Sequence, residues 1–337
     1  MKEASFYEKK DEKDLQCHLC RHNCVITEGG RGICGVRENS GGTLYTLVYG
    51  LPCASHVDPI EKKPLFHFYP GSRAFSIATA GCNFQCLHCQ NHDISQLPRE
   101  QKRIFGEKMT PEDVVAAAVE LHCVSISYTY TEPTIFFEYA CDIARLAREK
   151  GIANNFVTNG YIEEAPLRAI RPFLDGANID LKSFSESFYR RNCKAELSKV
   201  LDTIRLYKEL GIWIELTTLV IPGHNDGEDE LRSIARFIAG ELGAETPWHV
   251  SAFYPTYKLI DVKRTSPKVL ERARMIGFEE GLRYVYEGNV PGCDGENTYC
   301  YNCRKVVIGR SGYTIAEYNM KGGACKFCGS IIDGVGL

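Results

Sequence analysis

No stretch of this 337-residue chain approaches the roughly 20 consecutive apolar residues that a bilayer-crossing helix needs. The opening stretch MKEASFYEKKDEKD also lacks the apolar core of a signal peptide. A charge of one sign is missing as well. The 40 Lys plus Arg against 43 Asp plus Glu leave a net charge of -3, so the balance points neither to nucleic acid nor to a membrane surface. Tandem repeats and low-complexity linkers are absent from the middle of the chain. Together these absences predict a cytoplasmic protein with no membrane and no nucleic-acid partner. An apolar fraction of 44% suffices for one large barrel or two ordinary domains.

What the chain does have is cysteine, sixteen in all. In an exported protein such a count suggests disulfides, whereas in a reducing cytosol it suggests thiolate–metal chemistry. Eleven fall into three tight groups: Cys17, Cys20, Cys24 and Cys34; Cys82, Cys86 and Cys89; and Cys300, Cys303, Cys325 and Cys328. The other five, Cys53, Cys123, Cys141, Cys193 and Cys293, stand alone and read as small buried thiols. The central group supplies three thiolates from an eight-residue loop behind the apolar run Ala74 to Ala80, close enough together to wrap one cubane. A cubane has four irons, so three ligands leave one iron open to substrate or cofactor. At this point a zinc site, or a ferredoxin-like cluster completed by a distant cysteine, remains the alternative.

The N-terminal group offers four thiolates and a closed site, with Gly29, Gly30, Gly32 and Gly35 permitting the turns that aim them. Its spacing leaves zinc and a second iron–sulfur cluster equally open. The C-terminal group, two Cys-x2-Cys pairs, is close to a zinc-ribbon pattern and reads as structural zinc, with a rubredoxin-like iron as the alternative. Lys305, Arg310, Lys321 and Lys326 make only a modest basic content around it.

Between the outer groups runs a strand-then-helix rhythm. Apolar runs at Ala74–Ala80, Val124–Tyr130, Ile152–Thr158, Ala177–Leu181, Ile212–Ile221, Trp248–Tyr254 and Leu282–Tyr286 predict seven strands. Thr110 predicts an N-cap, Pro111 the first helical residue and Asp113 the partner of a capping-box variant, with the helix running on to Leu121. Further helices are expected at Ile135–Lys150, Leu197–Leu210 and Glu228–Leu242, stopped by Gly151, Gly211 and Gly243. Helical crossovers between parallel strands favour an α/β fold, a partial (β/α)6-type TIM-like barrel, over an open doubly wound sheet. The expected division is a Cys-rich N-terminal segment at 1–58, a barrel at 59–290 and a zinc-ribbon-like C-terminal segment at 291–337.

The string GCNFQCLHCQN resembles the radical-SAM signature. The resemblance implies that Cys82, Cys86 and Cys89 hold a [4Fe-4S] cluster whose fourth iron is chelated by S-adenosylmethionine, with His88 packed near the adenine. The motifs Tyr130-Thr131-Glu132-Pro133-Thr134, Val157 to Tyr161, Asp180-Leu181-Lys182, Val220 to Asp226 and Trp248 to Pro255 resemble the pyruvate formate-lyase activating-enzyme branch. In that setting Glu132 would accept from the methionyl amine and Lys182 would donate to the methionyl carboxylate. Asn159 and Asp180 suit ribose hydroxyls or the amine, and His249 would complete the rim. With both ends included, the chain from Cys17 onward resembles the radical-SAM member of the AmmeMemoRadiSam system. That implies Memo-like and AMMECR-like companion proteins and an external one-electron reductant of flavodoxin or ferredoxin type. The expected reaction is reductive cleavage of S-adenosylmethionine to a 5'-deoxyadenosyl radical that removes hydrogen from an unidentified substrate. Activation of a glycyl-radical enzyme is an alternative within that chemistry, and a non-catalytic iron–sulfur or zinc electron-transfer or interaction protein is one outside it.

Overall fold

The computed structural model describes residues 1–11, 13–290, 292 and 294–337. The expected buried thiol Cys293 lies outside them. One eight-stranded sheet organises the middle of the chain. Its strands are β1 (Pro52–Pro59), β2 (Arg73–Thr79), β3 (Ser125–Tyr128) and β4 (Ala153–Thr158), then β5 (Gly176–Asp180), β6 (Trp213–Val220), β7 (Trp248–Ala252) and β8 (Val285–Gly288). They lie side by side in chain order. From β2 to β8 every pairing is parallel, and each is crossed over by helical segments, as parallel neighbours require. Most residues of β3, β4, β5 and β7 are buried, which is why these strands read as continuous apolar runs without alternation.

The seven expected strands are the seven parallel ones, and an eighth was missed. Strand β1 pairs antiparallel with β2 from Pro59↔Arg73 to Pro52↔Thr79. It runs through the boundary expected between residues 58 and 59. Because β1 and β8 occupy opposite edges, the sheet is a partial barrel and stays open. Several expected strands overshoot at their C-terminal ends because the chain turns there: Tyr130 has φ 62° and Gly81 φ 110°.

The outer helices are α1 (Pro111–Glu120), α2 (Phe137–Glu149), α3 (Glu164–Ile170), α4 (Leu197–Glu209), α5 (Glu228–Phe237) and α6 (Pro267–Glu279). Thr110 caps α1 through both bonds of the capping box with Asp113. Helix α2 is entered through a 3-10 turn at Pro133–Phe136, and α5 widens into a π-helical turn at Ile238–Leu242.

The N-terminal segment forms two small three-stranded antiparallel sheets. Its Leu15, Leu19, Ile26, Val36 and Leu44 join the same apolar core as the barrel, so metal is not its only means of support. The C-terminal segment has its own apolar cluster, in which Val307, Ile308 and Ile332 meet the barrel residues Phe66, Tyr284 and Tyr286. Among the described residues no helix is long and apolar enough to cross a membrane.

Candidate active site

The C-terminal ends of the parallel strands open onto a cavity of about 790 Å³. Cys82, Cys86, His88, Cys89, Glu132, Asn159, Asp180, Lys182 and His249 all line it. Strand β2 delivers the cysteine loop through Gly81, where a Cβ would lie 2.7 Å from Val36 Cγ1 and 3.2 Å from the Cys34 carbonyl. Only glycine tolerates that approach at φ 110°. The loop is then fixed from three sides. The Arg99 guanidinium donates to the carbonyls of Cys82 and Ile33, each at 2.8 Å, and His22 Nε2 meets the Asn83 carbonyl at 2.8 Å. Gln85 N donates to Cys193 O and Leu87 N to Asn192 O, both at 2.9 Å.

Burial pushes the Cys82 thiol well up, and the neighbouring Glu132 and Cys86 add to the shift. Cys89 is pushed up by burial and by Cys86, against a 3.2 Å contact with Ser95 Oγ. Cys86 is shifted the other way, its thiolate favoured by a hydrogen bond from Cys193. Three sulfurs crowded on one loop, two of which resist ionisation on their own, suit a site where bound metal cations hold them as thiolates. The donor set therefore fits a cluster held by one short loop.

Glu132 is 1% exposed, and both of its oxygens are engaged. Oε1 accepts from Thr134 N at 3.0 Å, Thr134 Oγ1 at 2.6 Å and Thr158 Oγ1 at 2.8 Å, while Oε2 accepts from Asn159 N at 2.8 Å. Its visible work is to tie the end of β4 to the turn before α2. The Asn159 amide donates to Asn83 Oδ1 at 2.7 Å, so it braces the cysteine loop rather than pointing free into the cavity. At the end of β5, Lys182 Nζ meets Asp180 Oδ2 at 2.8 Å. Burial opposes the Lys182 charge, but Asp180 and the sulfurs of Cys86 and Cys193 hold its pKa well above the ordinary lysine value.

His88 is buried beside Phe188, its Nδ1 has no partner, and burial together with Lys182 lowers it to about 3. His249 is also buried, and its Nε2 lies 2.7 Å from Oε2 of Glu215. It lines the cavity as a side chain held in place by Glu215. Glu215 also accepts from the backbone N–H groups of Phe66 and His67 at 2.9 and 2.8 Å.

Sequence reasoning did not find Glu215, His67, Arg99 or Cys193. Glu215 hides inside an apolar strand run, and Cys193 belongs to no spaced pattern. Alone in sequence, Cys193 is not alone in space: its sulfur, that of Cys86 and a His88 ring nitrogen lie within 4.8 Å of one another. Of the other lone cysteines, Cys123 is buried as expected, whereas Cys53 and Cys141 are only half-buried.

The four C-terminal cysteine sulfurs also lie within 4.8 Å of one another, with Cys300–Cys328 at 3.6 Å and Cys303–Cys325 at 3.7 Å. A tetrahedron with metal–sulfur bonds near 2.3 Å has edges of about 3.8 Å, so this is the spacing of a single tetrahedral ion. Cys17, Cys20, Cys24 and Cys34 are also neighbours. Burial and then Cys17, Cys34 and Cys24 push Cys20 well up, but these four sulfurs do not share that tight spacing.

A family model described as the Radical SAM superfamily matches residues 76–238. An uncharacterized protein of Methanocaldococcus jannaschii is 50% identical over 335 residues, 99% of each chain. Another protein of that organism, named as a glycyl-radical enzyme activating enzyme, is 30% identical over 176 residues, 50% of this chain and 70% of its own. Among solved structures, a radical SAM methyltransferase from Sphaerobacter thermophilus aligns with a TM-score of 0.52 at 14% identity, covering 85% of this chain and 75% of that one. At that identity the likeness is one of fold.

Proposed function

This chain belongs to the radical SAM superfamily, and on that premise we propose that Cys82, Cys86 and Cys89 bind a [4Fe-4S] cluster with one iron open to S-adenosylmethionine. When bound and reduced by an external one-electron donor, cluster and S-adenosylmethionine supply a 5'-deoxyadenosyl radical that abstracts hydrogen from a substrate. The carrying observation is the placement of three cysteines, Cys86 buried and Cys82 and Cys89 half-buried, on one braced loop at the wall of a cavity whose opposite strand ends hold a Lys182–Asp180 pair.

The residues divide the remaining work. Lys182 donates to the methionyl carboxylate and is kept charged by Asp180, which in turn takes the methionyl amine or a ribose hydroxyl. Glu132 holds the β3 and β4 ends in register and offers its less engaged oxygen, Oε2, to the amine. Asn159 steadies Asn83 and, through it, the cysteine loop. His88 and Phe188 form an apolar wall suited to the adenine, and His249 closes the floor. Burial of these groups excludes water from a reactive radical. The C-terminal cysteines hold a structural zinc, and the N-terminal four hold zinc or a second iron–sulfur cluster.

The protein is an oxidoreductase of the pyruvate formate-lyase activating-enzyme type, working with a flavodoxin- or ferredoxin-type reductant and with Memo-like and AMMECR-like companions. A second reading, activation of a glycyl-radical enzyme, is favoured by the relative named for that activity. Anaerobic reconstitution tests the shared chemistry. The reduced cluster should change its electron-paramagnetic signal on addition of S-adenosylmethionine, and Cys82→Ala, Cys86→Ala and Cys89→Ala should each abolish 5'-deoxyadenosine formation. Normal activity in those variants would overturn the assignment. Incubation with the companions or with a glycyl-radical enzyme, followed by mass spectrometry, separates the two readings.

A further inference from the structure

Cys193 is 0% exposed, and it faces the middle ligand of the cluster loop. Its sulfur, the Cys86 sulfur and a ring nitrogen of His88 lie within 4.8 Å of one another. The approach is built by the backbone. Gln85 N donates to Cys193 O and Leu87 N to Asn192 O, so the segment Tyr189–Cys193 is bonded to the loop on both sides of Cys86. That segment is π-helical and ends at Lys194 with φ 60°, a conformation that costs a non-glycine residue energy. His88 Nδ1, 96% of whose residue is buried, adds a polar atom without a partner to the same group.

Two features decide the role. The Cys86 and Cys193 sulfurs are closer than two thiolates bound to different irons of one cube would be, so Cys193 does not occupy the fourth corner. A cysteine that binds no metal carries an S–H donor, and the Cys86 sulfur lies beside it as an acceptor. We propose that Cys193 is a positioning residue for the cluster: it donates its S–H to the Cys86 sulfur and makes the cluster easier to reduce, without binding iron. Hydrogen bonds to ligand sulfurs offset the added negative charge of the reduced cluster and so raise its potential. The inference rests on the reading of Cys82, Cys86 and Cys89 as cluster ligands.

The test compares the full-length wild type with Cys193→Ala, Cys193→Val and Cys193→Ser after anaerobic reconstitution. It uses iron and sulfide analysis, zinc analysis and a redox titration followed by electron-paramagnetic resonance. All four proteins should carry the same iron. The Ala and Val variants, which lack the donor, should lose up to about tenfold in the reduction equilibrium, ~59 mV in midpoint potential for one electron. The Ser variant should stay near wild type. Two donor-less variants of different volume guard against one of them failing to fold. Wild-type potentials in Ala and Val would overturn the proposal. So would loss of iron in a variant that keeps its fold, since Cys193 would then be a ligand, and so would zinc lost on removing Cys193. Addition of S-adenosylmethionine to the reduced wild type reads the proposed function separately: a silent signal removes that reading while the Cys193 comparison stands, and a wild type that assembles no cluster removes both.

Discussion

At the scale of single residues, Lys182 is a charge already held by a partner. Its Nζ rests on Asp180 at 2.8 Å with the side chain 14% exposed, so its charge is held in place before any carboxylate arrives. Removing it deletes a charge-assisted hydrogen bond worth roughly 1.5–3 kcal/mol, and Lys182→Ala should weaken S-adenosylmethionine binding about ten- to a hundredfold. Iron content should not change, because Lys182 is not a ligand. Anaerobic titration of the reconstituted variant measures both, and unchanged affinity would leave Lys182 as a structural partner of Asp180 alone. His67 makes a different prediction. Its ring is buried between the Tyr286 hydroxyl at 2.5 Å and the Asp333 carbonyl at 2.6 Å, and burial, against the pull of Glu215, lowers it to about 4. An unfolded histidine titrates near 6.5, so between pH 6.5 and 4 the unfolded chain binds more protons and stability rises with pH. The contribution is complete above pH 6.5 and is lost as pH falls, by about 2 kcal/mol at pH 5. Denaturant unfolding at pH 7 and pH 5 should show that loss in the wild type and a smaller one in His67→Gln; equal losses would assign the pH dependence elsewhere.

Between elements, the site depends on one bridging side chain. Arg99 reaches Ile33 O beside the N-terminal cysteine group, Cys82 O and Phe84 O in the cluster loop, and Gln96 Oε1 on its own turn. It therefore couples the N-terminal segment to the loop that β2 presents. Arg99→Ala should leave cluster assembly possible but speed iron loss to a chelator, with a stability cost of about 1–3 kcal/mol from the unpaired carbonyls. A chelation rate equal to wild type would show that the loop is held by Gly81 packing and the Cys193 backbone bonds instead. Elements differ in how far they were legible. The α1 start was fully legible, because the Thr110 and Asp113 bonds are local. Strand β1 was not, since Pro52 to Pro59 carries two prolines and a half-exposed pattern, and only pairing with β2 makes it a strand.

On the whole-molecule scale, the C-terminal segment is more than a stabilising appendage. Glu296, Gly312 and Tyr313 line the same cavity as the cysteine loop, and Arg310 donates to Phe66 O at 2.8 Å and to Thr298 Oγ1 at 2.8 Å. Thr298 meets Tyr286, whose ring stacks on His249 at 5.1 Å. Metal in the C-terminal tetrahedron should still act first on folding, because a closed four-thiolate site contributes its binding energy to stability. Cys325→Ala, or chelation of the wild type, should lower the thermal midpoint and the metal content before it lowers 5'-deoxyadenosine formation. Complete loss of turnover in a Cys325→Ala protein of normal stability would contradict the structural role.

The sequence alone determined what depends on short range: the three cysteine groups, the strand–helix rhythm, and the motifs at the strand ends that line the cavity. Ligand spacing and periodicity are local, so they survive in one dimension. Tertiary structure decided which polar groups are already spoken for. Glu132 and Asn159, expected as cofactor contacts, line the cavity and are also tied by hydrogen bonds to Thr158 and Asn83, residues 26 and 76 positions away. Cys193 lies 107 positions from Cys86, too far for any spacing rule, and only the folding of the open α/β barrel brings its sulfur against the cysteine loop.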